Sequence, residues 1–188
     1  MTDVCDVVDY PLYVAGKAET TTQWLEVHDK YRNKIYARVA LADAKVLEKA
    51  IAASVKAEAD MAALKPFQKQ KILLHCVKRF NELREELTEI LIAEGGKPRG
   101  AASAEVERLI NTFQLAADAV TQLDDGHLLP LAVTAAASRY RGMVKHVPIG
   151  AVSLISPFNF PLNLVAHKIT PAIAASCPLA LKPASLTP

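Results

Sequence analysis

Two polar residues near the carboxyl end of the chain, Asn159 and Lys182, stand where chemistry is expected. Asn159 lies in Ser156-Pro157-Phe158-Asn159-Phe160-Pro161, and Lys182 opens Lys182-Pro183-Ala184-Ser185. Each stretch follows a short apolar run, Ala151 to Ile155 in the first case and Pro178 to Leu181 in the second. Between the runs, Leu162, Val165, Ile169, Ile173 and Ala174 recur at helical spacing. Strand, crossover helix and strand make the βαβ unit of a parallel sheet. Open α/β sheets bind ligands outside the carboxyl ends of their strands. An amide donates hydrogen bonds without titrating, and an ammonium offers three donors and a positive charge. Catalysis and cofactor binding are therefore expected of Asn159, Lys182 and the turn residues beside them.

Four blocks share this segment: Pro148-Ile149-Gly150, Pro157-Phe158-Asn159-Phe160-Pro161-Leu162, Lys168-Ile169-Thr170-Pro171-Ala172-Ile173-Ala174 and Lys182-Pro183-Ala184-Ser185-Leu186-Thr187-Pro188. In this order, with 23 residues from Asn159 to Lys182, they closely resemble the aldehyde dehydrogenase superfamily. Upstream, Glu94-Gly95-Gly96-Lys97-Pro98 followed by Glu105-Val106 looks like the family's E-x-G-K-x…E-V stretch. The resemblance covers nearly all of residues 10–188, and the chain is well short of half the family's usual length.

The resemblance implies an NAD(P)-dependent enzyme that oxidises a small aldehyde to a carboxylic acid. In this family a thiolate attacks the carbonyl, and the oxygen of the resulting thiohemiacetal carries developing negative charge. The resemblance gives Asn159 the role of donor to that oxygen. Pro157 and Pro161 remove backbone freedom on either side of Asn-Phe and would preset the amide. A second reading has Asn159 capping the helix that follows, a position asparagine favours. Lys168 matches a family position near the active site and is the other catalytic candidate. For the cofactor, NADP or NAD, the resemblance points to Ile155, Ser156, Pro157, Phe158, Lys182, Ala184 and Ser185, with Lys182 reaching hydroxyls of the adenine-side ribose. Many members carry Glu at the position of Ser185, where a carboxylate repels a 2′-phosphate. A neutral serine removes that repulsion, so NADP should bind as well as NAD or better.

No G-x-G-x-x-G or Walker sequence occurs, and the family's glycine-bearing turn, general-base glutamate and nucleophilic cysteine all follow the position of Pro188. Residues 1–188 alone are therefore expected not to oxidise aldehydes. Two readings stand: the N-terminal part of such an enzyme, or a non-catalytic dimerisation or interaction module derived from the same fold. The first is favoured, because a parallel sheet of one or two strands leaves apolar faces uncovered.

The elements that must position these residues are legible further upstream. The expected class is α/β, the N-terminal part of a Rossmann-like parallel-sheet cofactor-binding domain with helices and a projecting β-hairpin. Strands and helices fill 1–125, an oligomerisation hairpin 126–147, and the incomplete βαβ unit 148–188. Tyr10–Val14, Trp24–Val27 and Lys34–Ala40 alternate as short strands. Asp43 is placed to cap a helix with Val46, Leu47, Ala50, Ile51, Ser54 and Val55 on one face. A second helix starts at Pro66, carries Leu73, Val77, Phe80, Leu83, Leu87, Ile90 and Leu91, and ends at Gly95-Gly96. A third runs from about Pro98 to Gln122 with Val106, Leu109, Ile110, Phe113, Ala117 and Val120 inward. Arg79, Glu82, Arg84, Glu85, Glu86 and Glu89 read as a solvated face rather than acid–base machinery. After an Asp124-Asp125-Gly126-His127 turn, Leu128 to Ala137 and Ser138 to Val147 read as two extended segments. The resemblance implies that these strands project and pair with a second subunit; their basic residues Arg139, Arg141 and Lys145 suit a solvated edge or, less directly, a phosphate site.

Composition excludes other classes. Charged residues make up 22% with a net charge of +2, and no Lys/Arg tract is interleaved with aromatics, so nucleic acid is not an expected partner. The acidic start MTDVCDVVDY is unlike a signal peptide, and no apolar run is long enough to span a membrane. A cytoplasmic homo-oligomer, dimer or tetramer, is expected. The three cysteines, Cys5, Cys76 and Cys177, form neither a disulfide framework nor a C-x-x-C pair, and all three are read as inert. None of the five histidines (28, 75, 127, 146, 167) shows metal-ligand spacing, so no metal is assigned.

Overall fold

The computed structural model describes residues 7–123 and 126–188. Cys5, Asp124 and Asp125 therefore lie outside the described residues. The chain begins as expected with short strands: β1 (Val8–Tyr10), β2 (Leu12–Val14), β3 (Lys17–Glu19), β4 (Trp24–His28) and β5 (Ile35–Ala40). β5 is central in a three-stranded sheet, parallel to β1 and antiparallel to β4, with Trp24 opposite Ala40. β2 and β3 form a separate hairpin through Ala15 and Gly16, both at positive φ (51° and 74°). Two left-handed residues match the twist of the flanking strands, which is why glycine serves here.

Six helices follow in the described residues: α1 (Ala44–Lys56), α2 (Glu58–Ala63), α3 (Pro66–Glu82), α4 (Arg84–Gly95), α5 (Arg99–Ala119) and α6 (Pro161–Ala174). Asp43 caps α1 as its sequence position indicates, its carboxylate accepting from the Val46 amide at 2.9 Å. The single helix expected from Pro66 to Gly95 is in fact two. Leu83, at φ −97° and ψ 11°, leaves helical geometry and separates α3 from α4. Asn81 sits at the break: its amide donates to the Val77 carbonyl at 2.9 Å, and its Oδ1 accepts from Arg84 at 3.0 Å. Asparagine side chains compete in this way with the backbone ladder. α4 ends as foreseen, with Gly96 left-handed (φ 62°) and its amide on the Ile92 carbonyl.

The core sits where α3, α5 and α6 meet. Leu73, Leu109, Phe113, Ala117, Val120 and Ala166 are all at most 3% exposed and form one cluster. Phe80 meets Phe113 edge to face, centroids 5.0 Å apart. A second cluster joins Leu91 to Ala102, Val106 and Ile110, so every residue assigned to the inner face of α5 is buried. The charged face of α3 and α4 is solvated and ion-paired, Arg79 with Glu82, Arg84 with Glu107, and Arg99 with Glu85 and Glu89. Exposed pairs of this kind add little stability each. Cys76 packs half-buried against the main cluster, and Cys177 is buried.

After α5 the chain forms the hairpin of β6 (His127–Leu129) and β7 (Gly142–Val144), antiparallel with His127 opposite Val144. Gly126 (φ 137°) starts it, and a Cβ there would stand 2.1 Å from the Val144 carbonyl oxygen. The two ten-residue extended segments expected here are not found: the strands are three residues each, and 132–139 is a run of turns and a bend. The Ala-rich sequence has low strand preference, and Thr134 and Ser138 bond locally, to the Ala137 amide and the Ala135 carbonyl. The βαβ unit closes the chain. β8 (Val152–Ile155) and β9 (Leu179–Lys182) are parallel, joined by α6.

Candidate active site

The carboxyl ends of β8 and β9 lie side by side, with Ile155 opposite Lys182 and the Ser156 amide donating to the Lys182 carbonyl at 3.2 Å. This pairing gathers the two turns that the sequence marked, Ile155 to Phe158 on one strand and Lys182 to Ser185 on the other. The Lys182 ammonium is exposed and, among the described residues, donates only to the neighbouring Pro183 carbonyl, at 3.1 Å, a bond that it can exchange for one to a ligand. Ser185 and Leu186 form a tight turn between Ala184 and Thr187, closed by the Thr187 amide on the Ala184 carbonyl, and Ser185 is exposed.

Asn159 follows Ser156-Pro157-Phe158 and opens on a cavity of about 390 Å³ that Lys30, Glu94, Lys97, Phe158 and Thr187 also line. The amide does not cap α6: the N-cap position falls on Phe160, and no side chain there accepts a backbone hydrogen bond. The Thr187 hydroxyl is buried with no partner among the described residues. Burial raises the Glu94 carboxyl from 4.5 to about 7, against a smaller downward pull from Lys30. The folded chain therefore holds this proton more tightly than the unfolded chain between pH 4.5 and about 7. Stability that this group contributes is full below pH 4.5 and falls as pH rises through that window. Glu94→Gln should remove the fall: denaturation above pH 7 will show the variant more stable by on the order of 2 kcal/mol, allowing for partial exposure, and the difference will vanish at acid pH.

Lys168 is not brought to this cavity. It projects from α6 into a separate apolar space of about 310 Å³ lined by Val147, Ile149, Val152, Leu154 and Cys177.

One residue near the site carries no role in the sequence reading. Glu105 on α5 has a side chain with 0% exposure. Its Oε1 accepts from the backbone amides of Leu162 and Asn163, at 3.0 and 3.2 Å, and its Oε2 accepts from Lys97. The Lys97 ammonium also lies 4.2 Å from the centroid of the Phe160 ring. The signal was present: Glu105 interrupts the apolar stripe of Ala102, Val106 and Leu109, and a carboxylate on a buried helix face needs partners. Its backbone partners are 57 and 58 residues away, beyond the reach of spacing rules.

Comparison with known proteins agrees with this architecture. The family profile "Aldehyde dehydrogenase family" matches residues 16–188. A 3-sulfolactaldehyde dehydrogenase from Priestia aryabhattai is 34% identical over 188 residues, all of this chain and 39% of that protein. The crystal structure of aldehyde dehydrogenase 21 from Physcomitrella patens, in complex with the reaction product succinate, is similar at a TM-score of 0.94 and 42% identity, over 97% of this chain and 38% of the other. A glyceraldehyde-3-phosphate dehydrogenase from Methanocaldococcus jannaschii complexed with NADP is similar at a TM-score of 0.80 and 32% identity, over 89% of this chain and 36% of the other. The chain thus spans about 39% of the length of the curated relatives that match all of it. With the parallel strand pair, the Asn159 turn and the family profile in agreement, the chain belongs to the aldehyde dehydrogenase family.

Proposed function

We propose that this chain contributes the oxyanion-donating amide and one wall of the cofactor cleft to an NAD(P)-dependent enzyme that oxidises a small aldehyde to a carboxylic acid. The observation that carries the reading is the placement of Asn159 and Lys182 on adjacent turns at the carboxyl edge of one parallel strand pair. When a thiolate adds to the aldehyde, the carbonyl oxygen becomes negative, and the uncharged Asn159 amide donates a hydrogen bond to it without a change in protonation. The nicotinamide cofactor, when bound, would supply the hydride acceptor for the adduct, and hydrolysis of the resulting thioester would release the acid. Ile155, Ser156, Pro157, Phe158, Lys182, Ala184 and Ser185 would hold the cofactor, the exposed ammonium of Lys182 and the neutral hydroxyl of Ser185 favouring the ribose carrying a 2′-phosphate. The thiolate comes from outside residues 1–188, so these residues by themselves are not expected to turn over.

The NADP preference is directly testable. Ser185→Glu places a carboxylate where a 2′-phosphate would sit, and like charges face to face cost several kcal/mol. The dissociation constant for NADP⁺ should rise on the order of 10- to 100-fold, with that for NAD⁺ nearly unchanged. Strong NAD⁺ preference in the unsubstituted protein would sink this part of the reading.

The hairpin of β6 and β7 is proposed as the contact between subunits of a homo-oligomer in the cytoplasm. Leu128, Met143 and Val147 are each at least 67% exposed there, and short strands with bare edges need a cover. Among the described residues no helix is long and apolar enough to cross a membrane. The first test is the open reading frame and intact mass of the source protein, followed by an NADP⁺-dependent assay on short-chain aldehydes. Turnover by a longer product is the expected result. A native product ending at Pro188 that binds a longer relative without activity would replace this reading with that of an interaction module.

A further inference from the structure

The helix that follows Asn159 has no cap of its own. The first backbone amides of any α-helix lack intrahelical acceptors, and side chains at the N-cap commonly supply them. In α6 the N-cap is Phe160, which has no acceptor, and the first turn carries no acidic residue. Pro161 at the first helical position has no N–H to satisfy. The next two amides, Leu162 and Asn163, are taken by a single carboxylate oxygen from a different helix, that of Glu105. Its second oxygen holds Lys97, which follows the Gly95-Gly96 turn and lies over the Phe160 ring.

This arrangement works as a two-way lock. A fully buried carboxylate is stable only while its donors stay in place. The amino end of α6, in turn, draws a negative charge through its aligned amides. Sliding or rotating α6 by a fraction of a turn would strand both, so the position of Pro161 is fixed relative to α5. Asn159 is two residues upstream of Pro161, separated from the first locked amide by Phe160, whose ring Lys97 covers, and by Pro161, whose ring fixes its backbone. Catalytic amides must sit within a fraction of an ångström of the oxygen they serve, and misplacement by 1 Å can cost about 100-fold.

We propose that Glu105, with Lys97, is a positioning pair that sets the Asn159 amide for oxyanion donation; the inference rests on the reading of Asn159 given above. The test uses the full polypeptide that carries this segment, with Glu105→Gln, Asn159→Ala and the double variant. Glutamine keeps the volume and one acceptor but places an amide against the Lys97 ammonium. Glu105→Gln should lower kcat about 10- to 100-fold while the KM for aldehyde moves by less than about threefold. In the Asn159→Ala background the same change should cost less than about twofold, because the group it positions is gone. Losses that multiply in the double variant would assign Glu105 a role in stability alone and overturn the inference. An unchanged kcat in Glu105→Gln, with Asn159→Ala inactive, would overturn it while leaving the reading of Asn159 intact. Unchanged activity in Asn159→Ala itself would instead overturn that underlying reading. Should Glu105→Gln not fold, Lys97→Met, which keeps the apolar stem beneath Phe160, is judged by the same comparisons.

Discussion

Asn159→Ala should lower kcat by about 100- to 1,000-fold, the loss that follows removal of one preorganised oxyanion donor, roughly 2.7–4 kcal/mol of transition-state stabilisation. The effect should fall on kcat rather than KM, since the oxygen is an ordinary carbonyl in the ground state and charged only in the transition state. Stability should be nearly unaffected: Asn159 is solvent-exposed and does not cap α6. That separation makes the experiment informative, because a loss of activity with an unchanged thermal transition cannot be ascribed to unfolding. Asn159→Asp should be no better, as a carboxylate accepts where a donor is needed and adds a negative charge beside the developing one. Steady-state kinetics of the two variants, beside thermal melts, check both statements.

The largest stability effect should come from Phe113→Ala, which is expected to cost about 3–5 kcal/mol. Phe113 is 3% exposed on α5, between α3 and α6, with its ring edge-on to Phe80 at 5.0 Å. Two of its core neighbours, Ala117 and Ala166, are too small to refill the space, so the cavity would persist and the cost should lie toward the upper end. Loss of the aromatic pair adds to it. Leu115→Ala, two residues along the same helix but 70% exposed, should change stability by less than about 0.5 kcal/mol. Urea unfolding of both, with unchanged slopes and only the Phe113 midpoint displaced, is the expected pattern. Equal costs for the two would mean that α5 is rotated from the orientation described.

What the residues disclosed and what they withheld divides along physical lines. Periodicity and local chemistry located the Asp43 cap, the inner face of α5, the Gly96 stop and the β8–α6–β9 unit, because each depends on neighbours a few residues away. The break at Leu83 was hidden because the apolar stripe runs through it without a proline or glycine. The strands of the hairpin were expected to be longer because basic and apolar residues happen to alternate through a segment that the Ala-rich chain folds into turns. At the site, the positions of Asn159 and Lys182 on paired strand ends were legible from block spacing. The second reading of Asn159, as the cap of α6, is not what the structure shows: the N-cap is Phe160, and the first free amides go to Glu105, which arrives through tertiary packing. Lys168 illustrates the same limit: helical spacing fixes the face it occupies, but only packing against β8 shows which cavity it meets.

On the reading proposed above, hydride leaves an aldehyde carbon held near Asn159 and arrives on a cofactor whose adenine-side ribose the β8–β9 edge holds. Label transfer tests it most directly. The full polypeptide carrying this segment is incubated with NADP⁺ and a short-chain aldehyde deuterated at its carbonyl carbon, and both products are examined by mass spectrometry. The predicted result is one deuterium in the reduced cofactor for each molecule of acid formed. Acid formed without label in the cofactor, or cofactor bound with no acid produced from any short-chain aldehyde, would contradict the assignment.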